Sequence, residues 1–205
     1  MVPLWLKLGY TAFVAILVPV YTIQYGPGNF LWFSDVALLL GLAAIWLESP
    51  LLASTQAIAI AVPESGWIIE VVLRATLGVR LLGLTDYMSD PSIPPFVRAL
   101  SLFHVWLPAL LVWLVFRLGY DRRAFVLQTL IGTAVLVGTY LLTGPERNVN
   151  WVHRWGSLAG GWPLALSLVT FPLVFYLPAH LVLRATCPPP EPDGSRIDGH
   201  PGLPA

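Results

Sequence analysis

The stretch GPGNFLWFSD at residues 26–35 sets the pattern for the whole chain. Its glycine–proline–glycine start separates two apolar runs, one that begins at Leu4 and one that continues to Trp46. Asp35 lies inside the second run. If that run is a membrane helix starting near Asn29, Asp35 lies roughly 9 Å below the start, at about 1.5 Å per residue. Because an ionisable group at that depth is costly, we expect Asp35 to face protein or water and to have a function.

The composition identifies the class of protein. The chain has 205 residues, of which 57% are hydrophobic and 11% charged, and its mean hydropathy is +0.74. A soluble domain has about 25% charged residues, so we expect this chain to be embedded in lipid. Its formal net charge is zero, so it lacks the basic surface that nucleic-acid binding requires. No zinc-site spacing is present, and we expect no metal and no other cofactor.

The apolar runs predict an all-α, polytopic membrane protein with a bundle of about six transmembrane helices, because about 20 apolar residues span a bilayer. The expected helices cover residues 4–23, 30–46, 51–78, 96–116, 124–142 and 162–183. We interpret the third as one helix kinked at Pro63, with a re-entrant pair of half-helices as the alternative. Glu70 and Arg74 on this helix are four residues apart, so we expect them to pair.

The sequence divides into a transmembrane bundle, residues 1–186, and a tail, residues 187–205. The tail is rich in proline and glycine, and we expect it to be disordered. Six spans place both termini on one face. Three arginines in the short connection 117–123 lie on that face, so the positive-inside rule favours cytoplasmic termini. The expected location is the plasma (inner) membrane if the protein is bacterial.

Candidate site residues lie near the face opposite the termini. Asp35 on the second predicted helix and His104 on the fourth are each about two turns from that face, and we expect Asp35 to orient His104 as a general base. Ser34 is the neighbouring hydroxyl and the candidate nucleophile. The connections on this face add the candidate ligand-binding residues Asn29, Asp86, Asn148, Asn150 and His153. The alternative is structural, since polar groups in membrane bundles also hydrogen-bond neighbouring helices and loop residues also simply face solvent.

Two short stretches carry a resemblance to a known family. FLWFSD at residues 30–35 and LFHVWLP at residues 102–108 resemble stretches of the androgen-induced and androgen-dependent membrane protein family. Those proteins are multi-pass intramembrane hydrolases of fatty-acid esters of hydroxy fatty acids. The resemblance implies that His104 is the base and that a threonine on the second helix is the nucleophile. Trp32 stands at the threonine position, and Ser34 would project from a different face. The whole chain also resembles uncharacterised bacterial multi-pass membrane proteins, which implies a class and no activity.

Two functions follow from the sequence. The first is a membrane binding or assembly module with a polar site on the face opposite the termini, because no strong catalytic motif is present. Its expected partners are the lipid bilayer and a lipid or small apolar ligand. A homo-oligomer that packs through small residues of the fifth predicted helix is an open alternative. The second function is an intramembrane lipid-ester hydrolase or acyl-transfer enzyme that uses His104.

Overall fold

A computed structural model describes residues 1–190, and this part of the chain is mostly helical, with almost no strand. Its α-helices are α1 (Leu4–Tyr25), α2 (Phe33–Leu47), α3 (Pro50–Leu77), α4 (Pro95–Leu100), α5 (Phe103–Leu118), α6 (Ala124–Leu142), α7 (Trp162–Thr170) and α8 (Leu177–Thr186). A π-helical segment, Phe171–Tyr176, joins α7 to α8. The connections contain 3₁₀ turns at Pro27–Leu31, Asp86–Ser89 and Val149–Trp151, and a short hairpin of β1 (Arg154–Trp155) and β2 (Leu158–Ala159).

Five helical stretches are long and apolar enough to cross a membrane. They are Leu4–Tyr25, Pro50–Leu77, Pro95–Leu118, Ala124–Leu142 and Trp162–Thr186. The apolar helix α2, with 15 residues, is shorter and returns the chain between the first two of them. The predicted all-α polytopic bundle is therefore confirmed, and the chain is a multi-pass membrane protein.

Polar contacts hold the ends of several helices together on the face of the N-terminus. Lys7 Nζ at the start of α1 lies 2.7 Å from Glu48 Oε1 at the end of α2. Arg117 at the end of α5 donates to the Met1 carbonyl at 3.3 Å. These contacts place the start of α1 and the ends of α2 and α5 on one face, as the alternation of spans requires.

The long helix α3 lies at the centre of the bundle, where it packs against α2, α5 and α6. Ser49 caps its start by accepting the N–H of Leu52 at 3.3 Å, and Gly78 ends it with a left-handed φ of 66°. The helix continues through Pro63, which removes one N–H donor from the ladder and favours a kink. The prediction of a single helix is therefore confirmed, and α3 is not a re-entrant pair of half-helices.

The expected pair between Glu70 and Arg74 is wrong. Buried Glu70 accepts the N–H of Leu82 at 2.9 Å and the hydroxyl of Thr85 at 3.4 Å. Arg74 donates instead to Asp86 at 2.6 Å. Each side chain therefore binds the loop that follows α3, because that loop folds back over the end of the helix and offers both of them closer partners.

Two glycines allow helices to approach a tyrosine closely. A Cβ atom added at Gly132 on α6 would lie 2.6 Å from the hydroxyl oxygen of Tyr176, and one added at Gly41 on α2 would lie 2.7 Å from that of Tyr10. Real Cβ contacts are not this short, so both packing contacts need glycine.

The start of the predicted tail packs against the bundle. The Tyr120 N–H donates to the Pro188 carbonyl at 2.7 Å, and Cys187 is buried. The tail predicted to be disordered covers residues 187–205, and residues 191–205 of it lie outside the described residues.

Candidate functional site

A cavity of about 420 Å³ lies toward the ends of the helices opposite the start of α1. Its walls come from the end of α1, the start of α2, the middle of α3, the loop after α3 and the start of α5. Aromatic side chains form much of the surface, including Tyr21, Tyr25, Trp32, Trp67, Tyr87 and Trp151. The polar groups among them include Ser34, Asp35, Glu64, Ser101 and His104. A mostly apolar cavity of this size with a few polar groups is typical of a small-molecule site.

Asp35 lies in the first turn of α2, where the helix dipole favours a carboxylate. The helix begins at Phe33, three residues later than predicted, because residues Pro27–Leu31 form a 3₁₀ turn. Asp35 is 3% exposed, and its Oδ2 accepts the Asn29 side-chain amide at 3.2 Å. Its Oδ1 is buried without a hydrogen-bond partner in residues 1–190. A buried acceptor without a partner is rare in folded proteins and indicates strain or a missing ligand.

His104, the second residue of α5, forms a close pair with Glu64 on α3. Its Nδ1 lies 2.8 Å from Glu64 Oε2. The imidazole also stacks between the rings of Trp67 and Phe103, with centroid distances of 4.8 and 4.2 Å. The carboxylate in contact with His104 is thus Glu64, and no hydrogen bond joins the expected partner Asp35 to His104 within residues 1–190. The reason is that α3 packs directly against α5 and carries Glu64 beside His104, whereas Asp35 binds Asn29.

Ser34 lies in the wall of the same cavity and is buried. No hydrogen bond links its hydroxyl to His104 in the described part of the chain. A nucleophile and its base need a separation of about 2.6–3.2 Å, although unliganded sites are often looser. Trp32 packs edge to face against Trp151 with a centroid distance of 6.0 Å.

Three of the predicted ligand-binding residues, Asn29, Asp86 and Asn150, also line the cavity. Asn150 fixes the loop after α6 to the start of α2, because its amide donates to the Leu31 carbonyl at 2.7 Å and its Oδ1 accepts the Phe33 N–H at 3.3 Å.

Asp86 pairs with two arginines at the edge of the cavity. Arg80 Nε lies 2.9 Å from its Oδ1, and Arg74 binds the same oxygen. Hydrogen bonds from Arg80 and Arg74 lower the pKa of Asp86 to about 2. Asp86 therefore carries its negative charge in an ion-pair network and stabilises the loop over the cavity.

The remaining two predicted ligand-binding residues, Asn148 and His153, do not line this cavity. Asn148 Oδ1 accepts the N–H groups of His153 and Arg154 at 3.1 and 2.9 Å, so its side chain organises its own loop. The His153 ring stacks on Tyr140 at a centroid distance of 5.0 Å. Both contacts are local to the connection between α6 and α7.

Sequence reasoning did not identify Glu64 or the contact of Tyr21 with Ser101, whose hydroxyls lie 2.6 Å apart. A signal for Glu64 was available, because a carboxylate in the middle of a predicted span is a functional candidate by the same rule as Asp35. Ser101 lies in the break between α4 and α5, which the apolar pattern of residues 96–116 does not reveal.

No protein-family model, curated protein or solved structure matches this chain, so the site is interpreted from its own geometry.

Proposed function

We propose that the protein is a membrane module that binds an amphipathic small molecule or lipid in the 420 Å³ cavity. The observation that carries the proposal is Asp35 Oδ1, which is buried in the wall of an aromatic cavity and has no partner in residues 1–190. A ligand with a polar end beside Asp35 and an apolar part against the aromatic walls satisfies both features.

The proposal is tested by filling the cavity. Leu84 lines it from the loop after α3, whereas Leu81 in the same loop does not line it and is 53% exposed. Purified Leu84→Trp is expected to retain less added lipid than the wild type, as measured by native mass spectrometry in mild detergent. Leu81→Trp adds the same side chain without filling the cavity and is expected to retain lipid normally.

The thermal unfolding midpoint of both variants controls for misfolding. Equal lipid retention by wild type, Leu84→Trp and Leu81→Trp, with all three folded, would refute the binding function.

A second candidate function is an intramembrane lipid-ester hydrolase or acyl-transfer enzyme. The contact between Glu64 Oε2 and His104 Nδ1 favours it, since a carboxylate on one ring nitrogen orients the other as a general base. In this scheme Ser34 Oγ attacks the ester carbonyl while His104 Nε2 takes the hydroxyl proton. The alcohol then leaves with that proton, and water or a second alcohol releases the acyl group from Ser34. The resemblance to the androgen-induced family supports His104 as the base, and Trp32 at the nucleophile position argues against an identical mechanism.

An activity-based serine probe on the purified protein separates the two functions. Catalysis requires labelling that is lost in both Ser34→Ala and His104→Ala and kept in Ser65→Ala, which changes an exposed serine on α3. The absence of labelling at Ser34 in the folded wild type would reject the enzyme.

The membrane orientation is part of the proposal. We place the termini in the cytoplasm, because three arginines lie in the last turn of α5 and just after it on that face, so the cavity lies near the opposite surface of the membrane. A thiol reagent that does not cross the membrane tests this on Cys187. Cys187 is buried, so labelling is compared in mildly detergent-permeabilised and intact cells. Measurable labelling of Cys187 that is equal in intact and permeabilised cells would contradict cytoplasmic termini.

A further inference from the structure

The acidic side chains that line the cavity are only partly paired by the protein. The Glu64 carboxylate contacts the His104 ring, and Asp86 pairs with Arg74 and Arg80. Asp35 has no cationic partner among the described residues, and its only side-chain hydrogen bond there comes from the Asn29 amide. Asp35 is 3% exposed and its Oδ1 has no hydrogen-bond partner within residues 1–190, so it is the acid in this wall that lacks a donor.

The aromatic walls suit a cation at this position. Tyr21, Tyr25, Trp32 and Trp67 share the cavity with Asp35. Aromatic faces attract ammonium groups, and cages of such rings recognise quaternary ammonium ligands.

A smaller cavity of about 280 Å³ lies beside the first and supplies the opposite charge. The two cavities share Tyr25, Asn29 and Trp32, and Arg147 lines the smaller one. Arg147 forms no ion pair within residues 1–190. Its guanidinium lies against Gly28, where an added Cβ atom would be 3.3 Å from Nη1. The next residue, Asn29, binds Asp35 through its side-chain amide. Arg147 and Asp35 therefore flank the short stretch of backbone at residues 28–29.

We propose that the two cavities together bind the zwitterionic head group of a phospholipid, with its ammonium beside Asp35 and its phosphate beside Arg147. Arginine binds phosphate through paired N–H donors, and the aromatic rings shield the ammonium. This proposal rests on the proposed binding function and names the ligand class for it.

The test compares lipids that differ only in the head group. Purified full-length protein in mild detergent is mixed with equal amounts of phosphatidylcholine, phosphatidylethanolamine and phosphatidylglycerol that carry the same acyl chains, and retained lipid is measured by native mass spectrometry. Wild type is expected to retain the two ammonium lipids about tenfold more than phosphatidylglycerol, the scale of one charged hydrogen bond. Equal retention of all three lipids would overturn the proposal.

Two variants test the roles of Asp35 and Arg147 separately. Asp35→Asn is expected to remove the preference for ammonium lipids, whereas Asp90→Asn, on a half-buried acid of the same face that does not line the cavity, keeps it. Arg147→Gln is expected to lower the retention of all three phosphate lipids several-fold, whereas Arg154→Gln, on a neighbouring exposed arginine, does not. An unchanged preference in Asp35→Asn, or equal retention by the two arginine variants, would overturn the proposal. Because Arg147 is exposed, its variant keeps the test valid even if Asp35→Asn does not fold.

Two further arms identify the source of the head group and separate this proposal from the binding function. If glycerophosphocholine displaces the retained lipid, the site takes the free head group. If only lysophosphatidylcholine displaces it, the site takes a lipid. Displacement by neither compound would overturn the proposal. If lipid is retained in a manner sensitive to Leu84→Trp but without head-group preference, the binding function stands and this inference fails. If Leu84→Trp changes nothing, the binding function itself fails.

Discussion

The close contact of α6 with Tyr176 makes a quantitative prediction about Gly132→Ala. An added Cβ atom would lie 2.6 Å from Oη, 3.0 Å from Cε2 and 3.2 Å from Cζ of Tyr176. The Tyr176 side chain is fully buried, so its ring has no solvent to move into. Overpacking of this kind typically costs about 1–3 kcal/mol.

Gly138→Ala is the matched control on the same helix. No atom lies within 4 Å of a Cβ atom added there. Alanine gains roughly 0.5–1 kcal/mol over glycine in a helix, and this gain applies equally to both variants. The difference between the two variants therefore isolates the overpacking at Gly132.

The assay is thermal unfolding of both variants in the same detergent. For a chain of this size the expected difference is about 2–12 °C, with Gly132→Ala less stable, if 1 kcal/mol shifts the midpoint by about 2–4 °C. Adding Tyr176→Phe to Gly132→Ala removes the nearest atom and is expected to recover part of the loss. Equal midpoints for Gly132→Ala and Gly138→Ala would refute the packing argument.

Three other predictions concern the loops and the topology. Hydrogen bonds from Arg80 and Arg74 hold the pKa of Asp86 at about 2, so the stabilisation of the loop by this ion-pair network is complete above about pH 4 and is lost as the pH falls through 2. Protease protection of the α3–α4 loop should therefore fall over that pH range in wild type, and an identical pH dependence in Asp86→Asn would contradict this. Asn150→Ala removes the bonds to Leu31 and Phe33 and should cost about 1–3 kcal/mol in thermal unfolding; an unchanged midpoint would contradict it. Reporter fusions in the α2–α3 and α3–α4 connections should lie on opposite sides of the membrane, and a shared side would refute the alternation.

The architecture was predictable because it depends on the length and punctuation of apolar runs. The six predicted spans correspond to helical passages of the chain, and Pro63 lies inside a continuous α3 as expected. The start of α2 was not predictable, since the apolar residues before Phe33 fit a helix as well as a 3₁₀ turn. Helix boundaries depend on local backbone hydrogen bonds that hydropathy does not encode.

The candidate site was predictable in some of its members and not in its pairs. Burial cost alone singled out Asp35 and His104, and both line one cavity. The partner of His104 depends on how α3 packs against α5, and that packing brings Glu64 to the ring. Glu70 shows the same limit, because the rule of residues four apart describes an isolated helix, whereas the folded loop after α3 provides it with other partners.

Photo-crosslinking of a bound lipid tests the central claim most directly. A phospholipid with a photoreactive group close to its head group is added to the purified protein, irradiated, and the labelled peptides are identified by mass spectrometry. The account predicts labelling in the segments 29–35 and 63–67, which contain cavity-lining residues such as Trp32, Asp35 and Glu64, and loss of that labelling in Leu84→Trp. Labelling confined to exposed apolar positions such as Ile23 and Leu130, and equal in wild type and Leu84→Trp, would contradict it.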